Sequence, residues 1–339
     1  MKLGDIQVNF LQSLLAAIES CQLDPWPLFT EFGLSDLSDS HPDRHISIPR
    51  YMRLGHGAIQ LTGREDIGLL MGSFSQCHHF GLLGYCAQSA ETLGQVLSIL
   101  IQFEKLSSRN SRGHSQIIHK EGMTGFQFYS ITPYNRYNRF VVDAVLSGWL
   151  QIMLDLAGEK ALKASGSTID IEFEQPAYSD RYRKLSVPVN FSQTSNTLWL
   201  PNDFCQLKNP LANPISHKQL LYLCQQQLDQ LQQGLNTRQQ VAELIAMDLA
   251  GKTPTLNDIA QQMQLESWTL RRRLQQEGIT FKQLLDETRN GLATRYVRDT
   301  PLALGEISYL MGFSTPEAFQ RAFKRWHGIA PGQYRSGQS

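Results

Sequence analysis

Apolar residues in the last third of this 339-residue chain recur with helical spacing, and one pattern occurs twice. The second copy begins 48 residues after the first and has one more residue in its turn, so its later positions lie 49 residues on. Because residues three and four apart share one face of a helix, each copy predicts two short helices packed around a tight turn. The predicted core positions are Ile259, Met263, Leu265, Leu270 and Leu274 in the first copy, and Ile307, Met311, Phe313, Phe319 and Phe323 in the second.

The two copies, residues 255–276 and 303–326, follow the helix-turn-helix plan, in which the second helix enters the DNA major groove. Each second helix also carries polar side chains off its apolar stripe. Arg can donate two hydrogen bonds to guanine, Gln can form a pair of hydrogen bonds with adenine, and Lys neutralises phosphate charge. One such face alone is typical of a solvated helix, but two in register predict DNA contact. The predicted contact residues are Trp268, Arg271, Arg272, Glu317, Gln320, Arg321, Lys324 and Arg325.

A helical segment from Phe281 to Asp299 separates the two copies, with Leu284, Leu285, Thr288 and Leu292 on its inner side. A helix of this length spans about 28 Å. Successive major-groove faces on one side of B-DNA are about 34 Å apart. The segment is therefore expected to place two recognition helices in adjacent grooves, with a modest bend of the duplex.

The N-terminal part mixes both periodicities and is predicted to be an α+β domain over residues 1–212. Helical spacing of Ile6, Phe10, Leu14 and Ala17 predicts a helix within residues 1–33. Further helices are predicted after Ile48-Pro49, up to about Leu106, and over 137–158. Strands are predicted at 116–120 and 125–132, paired around a turn at Glu121-Gly122, and at 168–173 and 197–200.

A Gln- and Leu-rich segment, residues 213–236, is predicted to be a helical linker to an all-α domain over 237–339. Its composition suits a connector that also forms a dimer seam, and it suits a solvated spacer equally well.

The formal net charge of zero hides an asymmetry between the two parts. Residues 237–339 hold 13 Lys+Arg and 10 Asp+Glu, a net +3, and residues 1–236 hold 18 and 21, a net −3. A modestly basic C-terminal part is compatible with phosphate contacts. The five cysteines have no CxxC spacing and indicate reduced thiols in a cytoplasm. Neither a signal peptide nor a membrane span is expected.

The second copy resembles the signature of AraC/XylS-type regulators in its residues Ile307-Ser308-Tyr309-Leu310-Met311-Gly312-Phe313-Ser314, 319–328 and 331–335. The first copy resembles the same family at 270–274, Glu277-Gly278 and Phe281. The likeness spans about 237–336. It implies base contacts from Trp268, Arg271 and Arg272, and from Glu317, Gln320 and Arg321.

Two positions depart from the family pattern. Gln264 stands where the first turn usually has Gly, so a left-handed backbone there would store about 1 kcal/mol of strain. Glu266 stands where Ser is frequent, so the following helix is expected to be capped by Ser267 or by the Glu266 carboxylate.

The N-terminal part resembles the arabinose-binding-type domain of one branch of AraC-type regulators, which includes ornithine-responsive members. The likeness rests on Gly84-Tyr85, Thr92-Leu93-Gly94, 173–178, Tyr182-Arg183 and 188–191. It implies ligand binding, dimerisation or both, without making arabinose the ligand.

Candidate ligand residues in this part remain open. Arg109, Arg112 and His114 suit a carboxylate ligand, with solvent-facing loop residues as the favoured alternative. Tyr129, Tyr134, Tyr137 and Trp149 suit an apolar pocket or simply the core. Cys77-His78-His79 has metal-ligand residue types, but adjacent residues cannot all face one ion and no partner pair follows. A loop is favoured there, and no metal or cofactor is expected.

The sequence thus predicts a cytoplasmic, ligand-responsive, homodimeric regulator of bacterial genes rather than an enzyme. Its expected partners are double-stranded promoter DNA, a small-molecule effector and, if it activates, RNA polymerase. Two alternatives stay open: a DNA repair enzyme with a reactive cysteine such as Cys77, and an architectural DNA-binding protein without an effector.

Overall fold

Apolar side chains gather in separate cores before and after the Gln-rich segment. A computed structural model describes residues 4–37, 44–109, 113–233, 236–249, 252–300 and 302–336. Two clusters, joined through one long helix, fill the N-terminal part. A third cluster, from Val241 to Phe323, fills the C-terminal part. The molecule therefore has an N-terminal domain, called the sensor domain after the role expected from the sequence, and a second, helical domain, each with its own core.

The sensor domain combines nine helices with two sheets among its described residues. The helices are α1 (Leu11–Ser20), α2 (Trp26–Glu31), α3 (Ile48–Thr62), α4 (Ile67–Ser73), α5 (Gly81–Gln88), α6 (Leu93–Gln102), α7 (Arg139–Ala157), α8 (Glu159–Ala164) and α9 (Asn202–Cys205). Short 3-10 helices occur at Val8–Phe10, Cys77–Phe80, Glu104–Leu106 and Ser179–Lys184. The strands are β1 (Asp5–Gln7), β2 (His45–Ser47), β3 (Ser108–Arg109), β4 (Gln116–Lys120), β5 (Met123–Phe128), β6 (Thr168–Asp170), β7 (Val189–Asn190) and β8 (Asn196–Pro201).

The strands pair mainly antiparallel. The small sheet has the order β2-β1-β3, and the larger sheet has the order β4-β5-β8-β6-β7 with one parallel pair, β6 and β7. The predicted hairpin is confirmed, with Lys120 opposite Met123. Its second strand begins at Met123 rather than at Gly125, because the turn needs only Glu121 and Gly122, and it ends at Phe128 rather than at Thr132. The predicted α+β class is confirmed.

Helix α7 joins the two sensor clusters. It supplies Phe140 and Ala144 to one cluster and Val142 and Trp149 to the other. It is long and apolar enough to cross a membrane, although no span was expected from the sequence. Because 67% of that stretch is buried inside the domain, α7 is a core helix here.

The N-terminal prediction of a helix from Ile6 onward is wrong. Asp5–Gln7 is a strand, and Ile6 pairs with Ile46 on one side and with Ser108 on the other. The helix α1 begins only at Leu11. Pairing with strands that are distant in sequence overrides the local helical spacing. The pattern of the first residues gives no sign of this pairing.

The predicted loop at Cys77-His78-His79 is also wrong, because these residues form a 3-10 turn before α5. His79 is buried, its Nδ1 lies 2.9 Å from Ser13 Oγ, and burial lowers its pKa to about 4. Among the described residues no group of His, Cys, Asp and Glu side chains is arranged to hold a metal ion.

The Gln-rich segment forms α10 (Pro214–Gln233), which lies along the sensor domain instead of standing free. Cys224 is fully buried, and Leu220, Leu221, Leu228 and Leu231 pack against the sensor core. A helix with one packed side is more than a solvated spacer. Its opposite side is exposed and carries Ile215 and Tyr222.

The C-terminal domain is entirely helical in its described residues. Its helices are α11 (Thr237–Asp248), α12 (Leu256–Gln262), α13 (Ser267–Gln276), α14 (Phe281–Asp299), α15 (Leu304–Leu310), α16 (Pro316–His327) and α17 (Pro331–Ser336). Thr255 with Asp258, and Thr280 with Gln283, form capping boxes that fix where α12 and α14 begin.

We predict that Gly68→Ala destabilises the sensor domain. An added methyl group at Gly68 would lie 2.3 Å from the backbone oxygen of Phe140, and no side-chain movement relieves that clash. The free energy of unfolding should fall by about 1–3 kcal/mol. Urea unfolding followed by Trp fluorescence measures it.

The control is Ser73→Ala, an exposed position on the same helix α4, which should change stability by less than about 0.5 kcal/mol. Equal unfolding midpoints for the two variants would show that α4 and α7 do not pack this closely.

Candidate nucleic-acid interface

The two helix-turn-helix units share one core that is built along α14. Leu284 and Thr288 are fully buried and Leu292 is 4% exposed, so the predicted inner side of this helix faces the core. The helix runs from Phe281 to Asp299, as predicted. The core residues predicted from the two copies all lie in this cluster or pack against it: Ile259, Met263, Leu265, Leu270, Leu274, Ile307, Met311, Phe313, Phe319 and Phe323.

The second helix of each unit, α13 or α16, presents its polar side to solvent. In α13 the fully buried Leu270 lies opposite an exposed Trp268, whose side chain is 64% accessible. In α16 the fully buried Phe319 and Phe323 lie opposite a row of donors and charges. The exposed side chains include every predicted contact residue: Trp268, Arg271, Arg272, Glu317, Gln320, Arg321, Lys324 and Arg325.

Within these surfaces two arginines have neighbours that restrict them. The guanidinium of Arg272 lies over the Trp268 ring, 5.7 Å from its centre, in a cation–π contact. Arg325 donates to Asp286 of α14 at 2.8 Å, and Trp326 Nε1 donates to the same carboxylate at 2.9 Å. Arg325 therefore fastens α16 to α14, whereas no ion pair within 4 Å involves Arg271 or Arg321 among the described residues.

Arg289 was missed by the sequence reasoning, although it fixes the second turn. From α14 its Nε donates to the Met311 carbonyl at 2.9 Å and its Nη2 to the Gly312 carbonyl at 2.9 Å. Its guanidinium also lies 4.5 Å from the ring centre of Phe313. Burial lowers the pKa of Arg289, and the nearby Asp286 opposes that shift. The only available signal was an arginine on the inner half of a predicted helix.

The turns of the two units have the same backbone shape with different residues. Gln264 has φ +54° and Gly312 has φ +66°, so both positions are left-handed. A side chain at Gly312 would meet the Lys252 carbonyl oxygen at 2.5 Å, while Gln264 points to solvent. The first turn therefore tolerates a side chain at the cost of backbone strain, and the second does not.

The expected cap of α13 is corrected by the structure. Glu266 occupies the cap position but its carboxylate accepts no bond there, and Ser267 donates instead to Asn257 of α12. The Ser267 hydroxyl thus joins the two helices of the first unit. In the second unit Thr315 does cap α16, accepting from the Ala318 N–H at 3.2 Å.

The two domains contact each other where α3 approaches α14 and through polar side chains. Asn135 of the sensor domain donates to Glu306 Oε1 of α15 at 3.4 Å. Glu243 of α11 lies near Lys105 and Arg109 of the sensor domain. Burial raises the pKa of Glu243, and the two cations oppose that shift.

The sensor domain contains a partly open cavity of about 110 Å³ between α3, α7 and the small sheet. Of the predicted pocket aromatics, Tyr129 and Trp149 line it, and Tyr134 and Tyr137 do not. Tyr134 instead donates to Glu172, and the ring of Tyr137 packs against His56.

The candidate cations do not line this cavity. Arg109 lies on β3 with its charge near Glu243, and His114 is exposed in the segment before β4. Arg112 lies outside the described residues. The sequence indicates these residues by their charge. Charge alone does not predict the face of the sheet on which a residue lies.

A sensor domain with a cavity, followed by two helix-turn-helix units on one shared core, defines a ligand-responsive, DNA-binding regulator. Residues 23–209 match the arabinose-binding N-terminal domain of AraC transcription regulators, and residues 259–337 match a helix-turn-helix domain. The chain therefore belongs to the AraC family of transcription regulators with an arabinose-binding-type sensor domain. It is a transcription regulator rather than an enzyme.

Named relatives agree with this family over most of the chain. The ornithine utilization regulator of Pseudomonas aeruginosa is 25% identical over 337 residues, covering 97% of this chain and 96% of the relative. The regulator VqsM of the same organism is 23% identical, covering 81% and 84%. The crystal structure of CdpR from Pseudomonas aeruginosa is 21% identical, with a TM-score of 0.47 over 98% of this chain and 99% of that one.

We predict opposite effects for substitutions in the two turns. Gln264→Gly should leave stability unchanged or raise it by up to about 1 kcal/mol, because glycine relieves left-handed strain but gains entropy on unfolding. Gly312→Ala should lower stability by more than about 1 kcal/mol, because it adds strain and a clash with the Lys252 carbonyl. Thermal unfolding of both variants measures this.

These two variants serve as controls for each other, since they change equivalent backbone positions. A clear loss of stability in Gln264→Gly would mean that the Gln264 side chain contributes contacts beyond its backbone geometry.

Proposed function

We propose that one chain of this regulator reads two adjacent major-groove segments of promoter DNA, with α13 in one groove and α16 in the next. The observation that carries this proposal is that both helices share one apolar core with α14 while their donor-bearing sides stay exposed. Helix α14 spans about 28 Å, against the spacing of about 34 Å between successive groove faces. A modest bend of the duplex makes up the difference.

Within this proposal the exposed side chains divide by chemistry. Arg271, Arg272 and Arg321 donate to guanine edges and Gln320 pairs with adenine, while Trp268 contacts bases or sugar through its apolar ring. Glu317, at the first turn of α16, accepts from cytosine. Lys324 neutralises phosphate, and Arg325 contributes positive charge from a position that Asp286 already holds.

We propose that a small molecule in the sensor cavity controls this DNA-binding domain. The polar contacts between Asn135 and Glu306, and between Glu243 and the two cations, are the connections through which the sensor state reaches the second domain. Polar contacts of this kind exchange readily for water, so their cost of opening is small. Control requires only that the effector bind one arrangement more tightly than the other.

The dimer interface that we propose is the outer side of α10. Ile215 is 77% exposed and Tyr222 is 63% exposed, and residues seven apart lie on one side of a helix. Leu211 and Tyr85, each more than half exposed, extend this apolar surface beyond α10. A second copy of the same chain would cover it in a two-fold arrangement, which is the commonest symmetry of soluble oligomers. Such a dimer would double the length of DNA that is read.

We propose that the regulator works in the cytoplasm, where free thiols stay reduced. All five cysteines are unpaired, and four of them are buried. If it activates transcription, RNA polymerase is a further partner.

We predict that Arg321→Ala weakens binding to the cognate operator by about 1–3 kcal/mol and relaxes sequence preference at one base pair. Loss of a guanine contact affects the cognate site and leaves random DNA nearly unchanged. Fluorescence anisotropy with an operator selected from genomic fragments measures both affinities.

The matched control is Lys324→Ala on the same helix, which should weaken cognate and random DNA alike and reduce the salt dependence by about one unit. If Arg321→Ala instead behaved like Lys324→Ala, the base-reading role of Arg321 would be wrong.

We predict that the double substitution Ile215→Asp with Tyr222→Asp converts the dimer to a monomer, because it places charges on the apolar surface of α10. Sedimentation equilibrium measures the mass. The control Gln227→Asp adds charge to another exposed position of the helix and should leave the dimer intact. A dimer that survives the double substitution would place the interface elsewhere.

A further inference from the structure

The cavity of the sensor domain has an apolar wall with one charged residue in it. Among the described residues that line it there are no Lys, Arg or His side chains, and Glu104 is the only acidic one. Phe10, Phe128 and Trp149 are among the apolar residues around it. An aliphatic or aromatic ligand body suits such a wall, but an anionic ligand would meet no positive charge.

Glu104 is held in place by one neighbour only among the described residues. The backbone N–H of Ser115 donates to Oε2 at 2.9 Å, and the Ser115 hydroxyl donates to Oε1 at 2.9 Å. Each oxygen keeps a further acceptor position. Burial raises the pKa of Glu104 to about 6, while the two bonds from Ser115 oppose the shift. The carboxyl is therefore mostly ionised at neutral pH, as a buried negative charge without a cation.

A second polar group lines the cavity with a weak partner. Tyr51 is 6% exposed, and its hydroxyl donates to the sulfur of Met71 at 3.7 Å. A thioether is a weak acceptor, so the hydroxyl keeps most of its capacity to bond a ligand.

We propose that the effector is a small organic ammonium ion, whose charged nitrogen pairs with Glu104 while its apolar body fills the cavity. This deepens the proposed control by a small molecule and rests on it. The ammonium supplies the missing cation to a buried carboxylate, the pairing that a low-dielectric site favours most. A cavity volume of about 110 Å³ limits the effector to a small molecule.

The test uses three probes with the same six-carbon chain: hexylamine, hexan-1-ol and hexanoate. Each is titrated into the full-length protein at neutral pH, and binding is followed by thermal shift and calorimetry. Hexylamine should bind tightest and hexanoate weakest. A Kd in the millimolar range or below is expected for so few atoms, so titration reaches about 10 mM.

The variant Glu104→Gln isolates the charge. Its amide oxygen can accept from the Ser115 N–H and its amide nitrogen can donate to the Ser115 hydroxyl, so both local bonds have a replacement. Hexylamine should bind this variant about 10- to 100-fold more weakly, while hexan-1-ol binds both proteins alike. Retained hexan-1-ol binding also shows that the cavity is still folded.

The proposal is wrong if hexanoate binds as tightly as hexylamine, if wild-type protein binds no hexylamine, or if the amine preference survives Glu104→Gln. DNA binding is measured separately on selected genomic fragments, both with and without amine. Specific DNA binding without amine binding overturns this inference alone. Amine binding without specific DNA binding overturns the proposed function alone.

Discussion

Packing along one helix determines where both DNA-binding units stand. Leu284, Thr288 and Leu292 bury one side of α14 in a core that both units share, and close-packed interiors resist sliding. Arg289 adds a polar connection from the same helix to the turn of the second unit. Helix α11 also packs against α14 and α13, and the segment that follows it lies against Gly312 of the second unit. The spacing of the recognition helices therefore follows from the packing of α14 and α11 together.

The connection to the sensor domain has the opposite character. It combines close contacts between α3 and α14 with an amide donating to Glu306 and with two cations near Glu243. No apolar cluster is shared across the boundary in the described residues. A rigid apolar core transmits position, and a polar contact allows change, since water can replace each bond at little cost. The molecule thus combines a rigid DNA-binding domain with an interdomain contact that can rearrange. Control by a ligand requires this combination.

The sequence predicted the C-terminal domain well and the sensor domain less well, for a physical reason. Paired helices pack through residues three and four apart, so the local spacing around Ile259 and Ile307 predicts that these residues are buried. The strand at Ile6 depends on Ile46 and Ser108, far away in sequence, and the chain gives no local sign of it. The same limit applies to sites. Exposed arginines on a helix were found from spacing, but Glu104 lies in a 3-10 turn where no periodicity shows which side faces inward.

That turn joins the two functions at adjacent residues. Glu104 faces the cavity, and the next residue, Lys105, is one of the two cations near Glu243 on α11. Both residues belong to one 3-10 turn of three residues, Glu104–Leu106. In the proposed control, a ligand that moves Glu104 and this turn would also shift Lys105 relative to Glu243. Since the interaction of two charges falls with distance, the attraction between the domains would then depend on the occupancy of the cavity.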